Sequence, residues 1–361
     1  MVYMDLRHLG WGSFFTEQFA PYTDTGCIPG RVAAEHKTGY VIYTGYGELR
    51  ATVAGAVRYR ASDRSDFPVV GDWVAVKSLA EGDTGVIQAI LPRKNSLSRK
   101  IPGKETEQQF IAANIDTVFW VSSLNRIFNL RRMERFLIMA YESGAHPAII
   151  LNKADLCDDV ETRLEEVIAI APGIPVHVTS AILGTGLDSL IPYITDGKTA
   201  VFLGLSGVGK STIINRLAGE NIQKVNEIRP DDDRGRHTTA VRSLIPLPMG
   251  GCIIDSPGIR ELQLWESRES FHDAFSDIES LALNCRFTDC RHEAEPGCAV
   301  KKAIVDGLID QARFGNYMKM RRESDRLERQ KDMRVEIEHR RKTKAFFRQI
   351  KRDQKMFFSD K

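Results

Sequence analysis

The chain's 361 residues, 42% of them hydrophobic, suffice for two or three domains with real cores. No apolar run approaches the ~18 residues of a membrane span. Met1 to Arg7 lacks the pattern of a secretory signal, so a cytoplasmic setting is expected, where six cysteines are thiols or metal ligands. The net charge of +2 conceals an asymmetry: Lys319 to Lys361 carries 16 Lys/Arg against 8 Asp/Glu, which leaves residues 1–318 net acidic.

Residues 1–28 contain Trp11, Phe14, Phe15, Phe19 and Tyr22 without a sustained period. A mobile arm or a short helix is expected there, with no function assigned. From 29 to 104 the texture changes to short strand-like runs broken by Gly and Asp. They are Arg31–His36, Tyr40–Thr44, Leu49–Val57, Trp73–Lys77 and Gly85–Leu91. Five strands so closely spaced suit a small β-barrel, with the OB-fold as first choice. Such barrels often hold single-stranded or looped nucleic acid through stacking and basic side chains. Arg58, Tyr59, Arg60, Arg64, Arg93, Lys94, Arg99 and Lys100 are candidates, although a solvated surface accounts for scattered arginines equally well.

Residues 105–268 alternate strand and helix. Thr117–Val121 reads as a buried strand, and Leu130, Met133, Phe136, Leu137 and Ala140 follow at helical spacing. Ala148–Leu151 is the next strand. A helix is marked by Val160, Leu164, Val167 and Ile168, then come a strand at Val176–Val178 and a helix over Leu187–Ile194. The pattern predicts a doubly wound α/β sheet with mostly parallel strands.

The second of these strands runs into Asn152-Lys153-Ala154-Asp155. A carboxylate at Asp155 can accept from guanine N1–H and the 2-amino group. Adenine offers no such pair and would leave the carboxylate unpaired. Asn152 would brace the loop and the Lys153 stem would pack over the base. Ser180 and Ala181, in Thr179-Ser180-Ala181, fit a second base contact through backbone N–H.

Next, Ala200-Val201-Phe202-Leu203 enters Gly204-Leu205-Ser206-Gly207-Val208-Gly209-Lys210-Ser211-Thr212, a G-x-x-x-x-G-K-[ST] run that a helical segment leaves. Glycines turn backbone N–H groups toward an anion, and the helix adds its positive end. Lys210 would reach the β/γ-phosphates and Ser211 would offer a hydroxyl to Mg²⁺. Downstream lie Gly235-Arg236-His237-Thr238-Thr239, the apolar runs Val241–Leu247 and Gly251–Ile254, and Asp255-Ser256-Pro257-Gly258. Asp255 would hold Mg²⁺ through water, the Gly258 N–H would meet the γ-phosphate, and either Thr238 or Thr239 would complete the metal shell. Loops ordered by a γ-phosphate in this way make a switch.

The base-reading motifs precede the phosphate loop, whereas most GTPases place them last. A cyclically permuted set N-K-A-D, G-L-S-G-V-G-K-S, G-R-H-T-T, D-S-P-G resembles the RsgA family (YjeQ/YloQ type). Phe67-Pro68-Val69-Val70-Gly71-Asp72-Trp73-Val74-Ala75-Val76 is similar to that family's barrel motif, and Phe128-Asn129-Leu130-Arg131-Arg132 to its first helix start. The resemblance implies GTP hydrolysis stimulated by the small ribosomal subunit, with rRNA gripped by flanking modules. A monomer binding GTP or GDP is expected.

Past residue 268 the cysteines crowd into Cys285-(x4)-Cys290-x-His292-(x5)-Cys298. Three thiolates and an imidazole form a closed tetrahedral set for structural zinc, and the family's zinc module has this arrangement. Residues 269–361 are thus expected to form a zinc-bound helical module ending in a basic helix. Its surplus of positive charge and Arg340-Arg341-Lys342-Thr343-Lys344 suit RNA phosphates, against the alternative of a solvated helix.

Ras-type enzymes place a water-orienting glutamine after the D-x-x-G glycine, but here Ile259 stands there. His237 is the nearest polar candidate, and the resemblance implies the same residue. Two other functions fit parts of the pattern: a nucleotide-dependent RNA-binding switch with negligible hydrolysis, and an ATP-using kinase or transport ATPase, which N-K-A-D and the lack of membrane segments disfavour.

Overall fold

The computed structural model describes residues 4–61, 63–79, 83–101, 104–125, 128–219, 242–255, 268–326 and 329. They fall into two compact units. One is built from Met1–Lys100, Gln108–Trp265 and His272–Ala274, the other from Ile101–Glu107, Glu266–Phe271 and Phe275–Lys361.

In the first unit, Leu6–Leu9 forms a 3₁₀ turn whose cap, Asp5, accepts from Arg7 N at 2.9 Å. Helix α1 (Ser13–Phe19) and a second 3₁₀ turn (Ala20–Thr25) follow. Aromatic packing explains this order in a segment with no clear period. Trp11 and Phe15 set their rings 4.8 and 5.6 Å from that of Trp73, which is itself fully buried.

The barrel strands are β1 (Ile28–His36), β2 (Gly39–Thr44), β3 (Gly47–Val53), β4 (Trp73–Ser78) and β5 (Thr84–Ile90). They run in the order β1-β2-β3-β5-β4, and a β1–β4 pairing closes the ring. Closure removes exposed sheet edges. Val32, Ile42, Leu49, Val53, Val74, Val76 and Ile87 fill the interior. The run expected as one strand to Val57 breaks early, for β3 ends at Val53 and helix α2 (Gly55–Arg60) begins. Val57 still packs on the barrel core. A spacing of four between valines serves either element, and Gly55 sits where the chain turns.

A hairpin of β6 (Ser96–Ile101) and β7 (Lys104–Ala113) leads into β8 (Thr117–Ser123). Then come α3 (Leu130–Ser143), β9 (His146–Asn152), α4 (Val160–Ile170), β10 (Val176–Val178), β11 (Thr199–Leu203), α5 (Lys210–Ala218), β12 (Ser243–Pro246) and β13 (Cys252–Asp255). The strand order is β10-β9-β8-β11-β13-β12, with β12 antiparallel to β13 and the other pairs parallel. Every residue of β8 and β11 is buried, as central parallel strands require. Two expectations shift. The stretch Leu187–Tyr193 is a 3₁₀ helix containing Pro192, whose missing N–H disfavours an α-helix. In α4, Val167 and Ile170 face inward while Ile168 is half-exposed. The sheet continues into the barrel through a β12–β1 pairing.

The second unit holds most of α6 (Arg268–Ala274), with α7 (Ser276–Ala282), α8 (Ala299–Val305) and a helix over residues 311–326. Phe275 and Tyr317 are fully buried with ring centroids 5.4 Å apart. Arg313 makes a two-pronged ion pair with Asp277 at 2.8 and 2.7 Å. Among the described residues no helix is long and apolar enough to cross a membrane.

Candidate functional site

Strand β11 ends at Leu203 and the backbone turns sharply. Gly204, Gly207 and Gly209 have φ of 149°, 80° and 101°, values that favour glycine. A Cβ at Gly204 would run into Val121 O, and one at Gly209 into the Asn152 amide. Leu205 packs on the core, Ser206 and Gly207 are exposed, and Val208 is buried. Helix α5 then opens without a side-chain cap, leaving its first N–H groups and its dipole for an anion. Ser211 and Thr212 are half-buried in that first turn.

The Lys210 ammonium lies under the loop, donating to Gly204 O and Leu205 O, each at 2.8 Å. Burial pushes its pKa down to about 8, with the Asp255 carboxylate pulling the other way. Asp255, at the end of β13, has its own pKa raised by burial against the opposing pull of Lys210. Lys210 and Asp255 are thus two buried, opposite charges that act on each other.

Asn152, 1% exposed at the end of β9, joins the two halves. Its Oδ1 accepts from Thr179 Oγ1 and Ala181 N, both at 3.1 Å. Its Nδ2 donates to Val208 O at 2.9 Å. One amide therefore fixes the N-K-A-D loop, the Thr179-Ser180-Ala181 loop and the phosphate loop together. Lys153 takes a left-handed φ of 64°, and Ala154 N donates to Thr179 O at 3.1 Å. Asp155 is exposed and accepts from Ser180 Oγ. Exposure leaves it acceptor capacity for a base.

The predicted set Asn152 to Asp155, Ser180, Ala181, Gly204 to Thr212 and Asp255 is thus gathered at the C-terminal ends of β9, β10, β11 and β13, where doubly wound sheets bind ligands. His237, Thr238, Thr239 and Gly258 lie outside the described residues. The part played by Val208 carried no sequence signal, because a backbone carbonyl has no residue type. Thr179 was legible only as a base-contact tripeptide, yet its hydroxyl holds Asn152.

The barrel candidates divide. Arg93 binds the fully buried Asp72 carboxylate through two bonds of 2.8 Å and also reaches Phe67 O, so it is internal structure. Arg64 pairs with Glu35 at 2.7 Å, and the Lys94 ammonium sits 5.0 Å from the Phe15 ring centre. Arg58, Tyr59 and Arg60 are exposed on α2. The side chains of Arg99 and Lys100 lie outside the described residues, as does the basic run at 340–344.

In the second unit the ligand atoms of Cys285, Cys290, His292 and Cys298 all lie within 4.8 Å of one another. Cys285 Sγ is 3.9 Å from Cys298 Sγ, and His292 Nδ1 is 3.4 Å from Cys298 Sγ. A disulfide needs about 2.05 Å. Four ligands set tetrahedrally at ~2.3 Å around zinc stand about 3.8 Å apart, so the spacing fits a metal. Cys298 Sγ accepts from Lys301 N at the start of α8. Burial pushes the Cys285 thiol up, but hydrogen bonds from the Val300 and Ala299 N–H groups and from Cys290 and Cys298 together bring the net shift down, toward thiolate.

The RsgA GTPase family model matches residues 90–265. The small ribosomal subunit biogenesis GTPase RsgA 2 of Lactiplantibacillus plantarum is 46% identical over 83% of this chain and 84% of its own. The corresponding RsgA protein of Syntrophotalea carbinolica is 41% identical over 97% and 98%. The crystal structure of YjeQ from Thermotoga maritima superposes with a TM-score of 0.62 at 28% identity, covering 81% of this chain and 97% of that one. With such identity carried over almost the whole length, the chain belongs to the RsgA GTPase family and is a GTP-hydrolysing enzyme.

Proposed function

We propose that this GTPase acts in late maturation of the small ribosomal subunit in the cytoplasm, as a monomer that binds rRNA and hydrolyses GTP when the subunit stimulates it. The observation that carries the guanine half is the Asn152 amide, which ties both base loops to the phosphate loop and leaves Asp155 open. The ribosomal half is supported by the names of relatives that match most of the chain. In this reading residues 29–104 are the barrel, 105–268 the permuted G domain and 269–361 the zinc module, with residues 1–28 as an N-terminal segment. Lys210 holds the β/γ-phosphates, while Ser211, Asp255 and one of Thr238 and Thr239 hold Mg²⁺. The Gly258 N–H meets the γ-phosphate and His237 orients the attacking water. One Zn²⁺ rests on Cys285, Cys290, His292 and Cys298.

Co-sedimentation with each ribosomal subunit, in GDP and in a non-hydrolysable GTP analogue, tests the reading. Retention on the small subunit alone, favoured by the analogue, is expected, and equal retention on both subunits would refute it. In the same preparation His237→Ala should keep GTP affinity within a few-fold and lose most stimulated turnover.

A further inference from the structure

Of the four residues in the Cys/His cluster, His292 alone has a left-handed backbone, at φ 62°. A non-glycine residue keeps that conformation only where its surroundings hold it there. The imidazole is 3% exposed, and its Nδ1 lies 3.4 Å from Cys298 Sγ and 3.7 Å from Cys285 Sγ. Sequence spacing supplies the imidazole, but something else must aim it.

The group that does so is the Glu295 carboxylate. Its Oε1 accepts from Arg291 N at 3.1 Å. Its Oε2 accepts from Glu293 N at 2.9 Å and from Ala294 N at 3.1 Å. One carboxylate therefore bridges the N–H groups of the residues immediately before and after His292. An ionised carboxylate only accepts, which suits a ring of N–H donors. Its own N–H and those of Arg291, Glu293 and Ala294 hold the Glu295 carboxyl down at about 2. Other contacts anchor the loop to its neighbours. Lys301 Nζ donates to Glu293 O, the Glu293 carboxylate pairs with Arg322 at 3.1 Å, and Arg286 N donates to Gly297 O at 3.2 Å. Glu295 acts within the turn that carries the histidine.

We propose that Glu295 is a positioning residue for metal binding, its carboxylate holding His292 in the left-handed conformation that presents Nδ1 beside the three thiols. This rests on the reading of the cluster as a zinc site. Groups that orient a ligand from outside the coordination shell commonly account for about 10–100-fold in metal affinity. Glu295→Gln keeps the side chain's length but turns one oxygen into a donor. Either oxygen faces an N–H group, so at least one bond is lost. Glu295→Asp keeps both acceptors on a shorter stem. Glu293→Gln is the control for charge, since Glu293 adjoins His292 in the chain but bonds to Arg322.

Two measurements on the full chain test the assignment. Zinc transfer to a chromogenic chelator should show affinity lower by at least about tenfold in Glu295→Gln, and by less in Glu295→Asp. Glu293→Gln should stay within about twofold of wild type. With Co²⁺ in place of zinc, the d–d bands report the ligand set. Those of Glu295→Gln should shift toward the bands of His292→Ala, while Glu293→Gln keeps the wild-type spectrum. Wild-type affinity in Glu295→Gln overturns the proposal. Weakened binding with wild-type bands also does, because Glu295 then merely stabilises the module. An equal loss in Glu293→Gln overturns it by making charge the cause. Arg291, Glu293 and Ala294 are exposed, yet their amides should exchange slowly in the zinc-loaded wild-type chain. Fast exchange at all three overturns the proposal even where a variant fails to fold. A wild-type chain that takes up neither Zn²⁺ nor Co²⁺ is a separate result, which refutes the metal site and this proposal with it.

Discussion

At the scale of single residues, Asp155 and Lys210 carry the most testable chemistry. Asp155 is exposed and accepts from Ser180 Oγ, which leaves its carboxylate acceptor capacity for a base. Asp155→Asn places a donor where guanine N1–H also donates, while the 2-oxo group of xanthine can accept from it. Competition binding should show weaker GTP affinity and relaxed rejection of xanthosine triphosphate. Lys210 titrates near pH 8 in the free protein because burial disfavours its charge. Nucleotide phosphates held by Lys210, as proposed, would favour the ammonium and raise that pKa. Binding strength is therefore complete below about pH 8 and is lost as pH rises through it, by up to about tenfold per unit. Calorimetry above pH 8 should register proton uptake on GTP binding, and Lys210→Ala should abolish that uptake along with most affinity.

Elements are held by contacts that composition conceals. Arg93 and Asp72 join the end of the barrel's fifth strand to the turn before its fourth, and the carboxylate is wholly buried. Arg93→Met would strand that charge, at a cost of about 3–5 kcal/mol. Arg64→Ala, at an exposed pair, should shift stability by less than about 1 kcal/mol. Urea unfolding of the two variants measures the contrast, and equal effects would return Arg93 to the surface set. The Cys/His cluster acts on a neighbouring scale, gathering α8 and the segment before it. One zinc per chain is expected by elemental analysis. Its chelation, or Cys290→Ser, should lower the melting temperature of the second unit, since metal affinity there is folding energy. GTP affinity should stay within a few-fold.

For the whole molecule, charge is the long-range variable. The surplus of eight positive charges from Lys319 onward sits on a chain otherwise net acidic. If that end meets rRNA phosphates, truncation before Lys319 should weaken small-subunit binding and flatten the plot of log affinity against log salt, because fewer counterions are released. An unaltered slope would mark the tail as a solvated helix.

How far the sequence reached follows from what kind of contact each feature needs. The phosphate loop, N-K-A-D and the Cys/His cluster were legible because their chemistry demands particular residue types at particular spacings. The barrel and the parallel sheet were legible because burial imposes a period of two, or an unbroken apolar run, on the residues themselves. The break of the third barrel strand before α2 was not, since Val53 and Val57 serve either element. Nor was the role of Arg93, whose type is equally at home on RNA or on Asp72. The bond from Asn152 to Val208 O and the pairing of β12 with β1 exist only in three dimensions. Backbone groups have no letter in a sequence, so only the tertiary structure could decide which distant segments they join.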